Sequence, residues 1–87
     1  MYYVYVLINV SSGRLYIGHT DNINRRLAEH QRGKSKYTRK RGPWKVEKKV
    51  LCKSRSEAMK LEYKLKRMKR PERILKYIDS LALPNVG

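Results

Sequence analysis

The sequence predicts an α+β fold: a small three-stranded antiparallel sheet flanked by helices, in the order β-β-α-β-α-α. Residues 2–8 are a run of aromatic and β-branched side chains of strand length. Apolar residues recur at helical spacing at Ile23 and Leu27, and again at Ala58, Leu61, Leu65 and Met68. The elements do not follow the regular βαβα alternation of a doubly wound parallel sheet. An 87-residue chain has room for about one core, so residues 1–82 are expected to form a single domain, with 83–87 a short tail.

The first strand alternates Tyr3, Tyr5 and Leu7 against Tyr2, Val4, Val6 and Ile8, so both of its faces are expected to be covered. Asn9-Val10-Ser11-Ser12-Gly13 is turn chemistry, and Leu15 to His19 follows as the return strand of a hairpin. On it Leu15 and Ile17 point one way, Tyr16 and Gly18 the other. Asp21 stands where it would cap a helix from Asn22 to about Arg32, ended by Gly33. Residues 33–43 hold Lys34, Lys36, Arg39, Lys40 and Arg41 without apolar periodicity, suited to a phosphate backbone but equally to a solvated connection. Trp44 to Cys52 reads as a third strand with Trp44, Val46, Val50 and Cys52 on one face, a pattern that Lys48 interrupts. Ser54-Arg55-Ser56-Glu57 has capping-box spacing and opens a helix that Pro71 stops; a last helix from Pro71 to about Ser80 would bury Ile74, Leu75 and Ile78.

Composition narrows the function. Lysine and arginine number 22 against 7 acidic residues, a net charge of +15 whose self-repulsion a polyanion would relieve, and nucleic acid is the expected polyanion. No apolar run approaches the roughly 20 residues of a membrane span, and the chain opens on strand-like sequence instead of a signal peptide, so a cytoplasmic location is expected and a membrane partner is not. One cysteine, Cys52, permits neither an internal disulfide nor a cysteine-based zinc site.

Two positions carry the chemical interest. Arg26 and His30 lie four apart on a face bordering the Ile23/Leu27 stripe, where a side chain can be held by packing and still reach a cleft; a solvated Arg26 beside Arg25 is the alternative. Glu62 falls at the edge of the later helix's stripe among cations. It either pairs with Lys66 or offers a carboxylate to one magnesium ion. Phosphodiester cleavage asks for a base, a cation to stabilise charge on phosphorus, and help for the leaving oxygen. Tyr16, Arg26 and Glu62 could supply these, the tyrosine only if neighbouring cations favour its phenolate over a reference pKa near 10.

Tyr3-Val4-Tyr5, a ten-residue spacer, Tyr16-Ile17-Gly18, then Arg26, His30 and Glu62 on successive helices together resemble the GIY-YIG nuclease domain across essentially the whole chain, most of all its small stand-alone bacterial members. The resemblance implies that Tyr5 lines the site and that Tyr16 is the general base or orients water. Arg26 would stabilise the phosphate charge with His30 assisting on the same face, and Glu62 would be the single protein ligand of one Mg2+ or Mn2+ ion. Gly18 would allow close approach of substrate, and His19 would contact phosphate. With Arg25 and the loop cations Lys34, Lys36, Arg39, Lys40 and Arg41 they would form the nucleic-acid surface. Tyr3 and Val4 replace the glycine and isoleucine of the first motif, and the asparagine that members often carry in the last helical region is missing, Asp79 being the nearest polar residue.

The function expected is therefore metal-dependent hydrolysis of DNA, selective for ends, flaps or junctions as in repair or recombination. A catalytically silent nucleic-acid-binding module of the same fold is the alternative, and a protein-interaction domain for an acidic partner a third reading. A monomer is expected, with an unknown targeting protein left open.

Overall fold

The computed structural model describes residues 1–32 and 43–82. Its elements are β1 (Tyr2–Asn9), β2 (Leu15–Thr20), α1 (Ile23–Gln31), β3 (Trp44–Cys52), α2 (Arg55–Arg67) and α3 (Pro71–Ala82). The strands form one antiparallel sheet in the order β2-β1-β3, the expected class and element order. The loop cations Lys34, Lys36, Arg39, Lys40 and Arg41, and the tail, lie outside the described residues.

The alternation in β1 divides the core as its period requires. Val4 and Val6 pack with Ile17 and Cys52 against Ala58 and Leu65 of α2 and Ile74 and Ile78 of α3. On the other face Tyr5 and Leu7 pack with Trp44 and Tyr16 against Ile23 and Leu27 of α1. The central strand is thus covered on both sides, and Val4, Tyr5, Val6 and Leu7 are at most 1% exposed.

The third strand departs from its expected pattern. Val6 pairs with Lys48 but Leu7 with Val46, so Glu47 is an extra residue in the ladder. A one-residue bulge reverses the facing of everything on one side of it. Trp44 therefore packs on the α1 face and Cys52 on the α2/α3 face, although their even spacing put them together. Lys48 shares the α3 side and ends in an ion pair with Asp79 at 2.6 Å, which is why a lysine stands where the apolar pattern broke.

Two helix starts position the site. In α1 the cap is Asn22, not Asp21: its side chain accepts from the Arg25 amide at 3.0 Å, while Asp21 pairs with the Arg25 guanidinium at 3.1 Å. The Asx side chain one position later has the extended backbone that a cap needs. In α2, Ser54 accepts from the Glu57 amide at 3.2 Å, as the capping-box spacing predicts. Replacing Ser54 by alanine leaves that amide without its partner and is expected to lower stability by about 1 kcal/mol in urea unfolding; an unchanged midpoint would show that the cap is dispensable.

Candidate active site

Four of the predicted residues meet on the α1 face of the sheet. Tyr5 sits opposite Gly18 in the β1–β2 ladder, and the absent side chain gives the Tyr5 ring its place: a Cβ on Gly18 would lie 2.6 Å from the Tyr5 hydroxyl and 2.8 Å from Cζ. The phenol thus passes over the edge strand and meets α1. There Arg26 Nε donates to the Tyr5 hydroxyl at 3.2 Å, and that hydroxyl lies 3.0 Å from His30 Nε2. Tyr16 stands close enough to help hold the Arg26 charge. The Tyr16 ring packs edge-on against His30 at 5.0 Å between centroids and against Trp44 at 6.5 Å.

The electrostatics give each group a role. Burial pushes the Tyr5 phenol above its usual range, partly opposed by the Arg26 hydrogen bond, so Tyr5 stays a neutral phenol at physiological pH. With Arg26 donating to its oxygen, the Tyr5 proton is placed to go to His30 Nε2, which is the Nδ1–H tautomer of the imidazole. Burial, and then the Arg26 charge, hold His30 below the ordinary imidazole range, with Glu29 opposing. Glu29 accepts from Arg26 Nη1 at 2.8 Å, the largest cause of a guanidinium pKa raised further still, so Arg26 keeps its charge.

These shifts give a pH dependence with a definite sign. Because folded His30 binds its proton less readily than the unfolded imidazole, its contribution is fully present above about pH 6.5 and is lost as pH falls below that value, where the unfolded chain takes up the proton first. Thermal unfolding followed down from neutral pH is expected to fall more steeply for the wild type than for His30→Gln; parallel curves would contradict the buried neutral imidazole.

Two further predicted residues lie across the edge strand. His19 faces α2, and its Nδ1 lies 2.6 Å from Glu62 Oε1, while Lys66 Nζ donates to Oε2 at 2.8 Å. Burial alone would raise the Glu62 carboxyl; the hydrogen bonds and charges of Lys66 and His19 outweigh it and hold the group below its ordinary range, hence ionised. Tyr5 lies opposite Gly18 and Glu62 meets the adjacent His19, so the two groups flank β2. An open cleft of about 330 Å³ beside them is lined by His19, Arg25, Arg26, Glu29 and Arg55 among others.

A family model described as the GIY-YIG catalytic domain matches residues 1–76. The chain belongs to the GIY-YIG family. It is 43% identical to a UPF0213 protein of Cupriavidus pinatubonensis, over 84% of this chain and 81% of the relative, and 42% identical to one of Halobacterium salinarum, over 84% and 95%. The solution NMR structure of a UPF0213 protein of Bacillus halodurans superposes with a TM-score of 0.56 at 37% identity, covering 94% of this chain and 86% of that one. GIY-YIG membership places the chain in a nuclease-like superfamily, and no helix among its described residues is long and apolar enough to cross a membrane.

GIY-YIG nucleases typically use a divalent metal. Among the described residues no three His, Cys, Asp or Glu side chains converge as a cage for one. A magnesium-like cation needs less, since it keeps most of its waters and takes one or two carboxylates. Glu62 fits that requirement: it is ionised, its side chain is 18% exposed, and each carboxylate oxygen has a second lone pair beyond the bonds from His19 and Lys66.

Asp79, the nearest polar residue to the missing asparagine, is held by Lys48 of β3, and β1 separates that strand from β2. It therefore sits on the wrong side of the sheet to complete this constellation. Two contributors went unnoticed in the sequence. Glu29 clamps Arg26, and its position three residues later on the same helix was the available signal. Trp44 closes the aromatic cluster, and only the β3 bulge turns it to that face.

Proposed function

We propose that this chain is a metal-dependent endonuclease of the GIY-YIG type that hydrolyses phosphodiester bonds, with DNA ends, flaps or junctions as its substrates in repair or recombination. The observation that carries the reading is the Arg26 guanidinium bonded to Tyr5 and clamped by Glu29, beside Tyr16 and an ionised Glu62. A planar cation fixed in this way is suited to a phosphate oxygen whose charge grows in the transition state. Tyr16 is the residue to orient or deprotonate the attacking water. Tyr5, kept neutral, relays orientation between Arg26 and His30. Glu62 would hold one Mg2+ or Mn2+ ion, which when bound supplies Lewis-acid stabilisation of the phosphate. Arg25 and His19, with the loop cations Lys34, Lys36, Arg39, Lys40 and Arg41, would carry the neighbouring phosphates of a cytoplasmic nucleic acid.

One observation favours a second reading. Both Glu62 oxygens already have partners of the chain's own, as they would in a catalytically silent nucleic-acid-binding module.

Glu62→Gln separates the two. Labelled linear, flapped and branched DNAs are incubated with magnesium or manganese, and binding is measured in parallel. A nuclease is expected to lose cutting by about a hundredfold or more with affinity little changed. Binding without cutting by the wild type would favour the silent module, and equal cutting by both proteins would exclude Glu62 as the ligand.

A further inference from the structure

A second groove, of about 530 Å³, lies between the edge strand β2 and the junction of α2 with α3. Its floor is apolar, with Ile17, Leu65 and Ile74, and its cations are Arg14, Lys66 and Lys69. Among the described residues no aspartate or glutamate lines it. It adjoins the site described above at Lys66, whose ammonium reaches Glu62, and across β2 at Tyr16, whose ring packs on the opposite face.

We infer that this groove is a nucleotide subsite, taking the base of an unstacked nucleotide next to the scissile phosphate on its apolar floor and that nucleotide's phosphate on Arg14, Lys66 and Lys69. The inference rests on the nuclease reading and adds to it where the neighbouring nucleotide goes. An anion alone would satisfy the cations and leave the half-buried Leu15 and Met68 above that floor in water, whereas a flat ring attached to a phosphate satisfies both. The three cations of the lining favour an anionic ligand. The Lys66–Glu62 pair selects a nucleotide over an acidic aromatic peptide, because it sets the groove beside the carboxylate that would hold the metal at the scissile phosphate. Splaying one nucleotide out costs least at an end, flap or junction, where stacking is already interrupted.

The test is an NMR titration of the 15N-labelled full chain with the 5′-phosphorylated dinucleotide pTpT, run beside inorganic phosphate and a glutamate-tyrosine dipeptide. The amides of residues 14–17 and 65–69 are expected to shift saturably with pTpT, and not to do so with either control. Lys69→Glu should weaken pTpT by about tenfold, whereas Lys60→Glu, an equal charge change on an exposed part of α2 outside the groove, should leave it within about twofold.

Equal weakening by both variants would mean diffuse attraction and overturn the subsite. So would shifts confined to the cleft beside Arg25 and Arg26, or the same shifts from phosphate or the dipeptide. Cleavage run on the same proteins keeps the two readings apart. DNA cutting that depends on Arg26 with pTpT absent from the groove sinks the subsite alone. A wild type that cuts nothing yet takes pTpT in the groove overturns the nuclease reading and leaves the nucleotide site standing.

Discussion

Arg26→Ala is expected to slow nucleic-acid cleavage by roughly 10²–10³-fold, the usual cost of removing one preorganised charge donor from a phosphoryl or acyl transfer site. The guanidinium donates to the Tyr5 hydroxyl at 3.2 Å and is clamped by Glu29 at 2.8 Å, so its position is set before substrate arrives. Its side chain is 31% exposed, enough to meet a phosphate from the adjoining cleft. The alanine variant should fold, since Arg26 is no part of either hydrophobic cluster. Arg26→Lys is expected to recover only a small part of the rate, because a single ammonium on a flexible stem lacks the planar fork that donates to the Tyr5 phenol and the Glu29 carboxylate at once. Single-turnover cleavage, with circular dichroism to check folding, measures both. A rate for Arg26→Ala within a few-fold of wild type would remove the residue from the mechanism.

Gly18→Ala is expected to damage stability and site together. The added Cβ would stand 2.6 Å from the Tyr5 hydroxyl and 2.8 Å from Cζ, closer than side chains are found to approach. Tyr5 is 1% exposed and its hydroxyl lies between Arg26 and His30, so the ring cannot swing aside cheaply. Overpacking of this kind costs about 1–3 kcal/mol. For a domain of this size each kcal/mol lowers the melting temperature by about 4–8 °C. The displaced hydroxyl should also release Arg26, so cleavage should fall further than stability alone explains. In a Tyr5→Phe background the nearest atom is gone but Cζ remains, and the stability penalty should shrink without vanishing. A melting temperature unchanged by Gly18→Ala would mean that the close approach relaxes at no cost.

Both experiments turn on how much the sequence already held. The period-2 alternation in β1 determined that the central strand is covered on both faces, because successive side chains of a strand must point oppositely. The capping residue Ser54 and the apolar spacing of α2 determined where the helix carrying Glu62 begins and which stripe it buries. Arg26 and His30, four apart beside Ile23 and Leu27, were placed on one helix face by the same local geometry.

What the tertiary structure alone decided depends on contacts between residues far apart in the chain. The bulge at Glu47 turned Trp44 to the face of Tyr16, and composition cannot show whether a ladder carries an extra residue. The choice of Asn22 over Asp21 as cap was a matter of one residue's backbone angle between two competent side chains. Asp79 was taken by Lys48 across the sheet, and Glu62 met His19, 43 residues away, across β2 from Tyr5. Periodicity and capping are local, so sequence determined the elements and the residue types they carry; which of those residues meet was set by strand register and helix packing, which no short window of sequence contains.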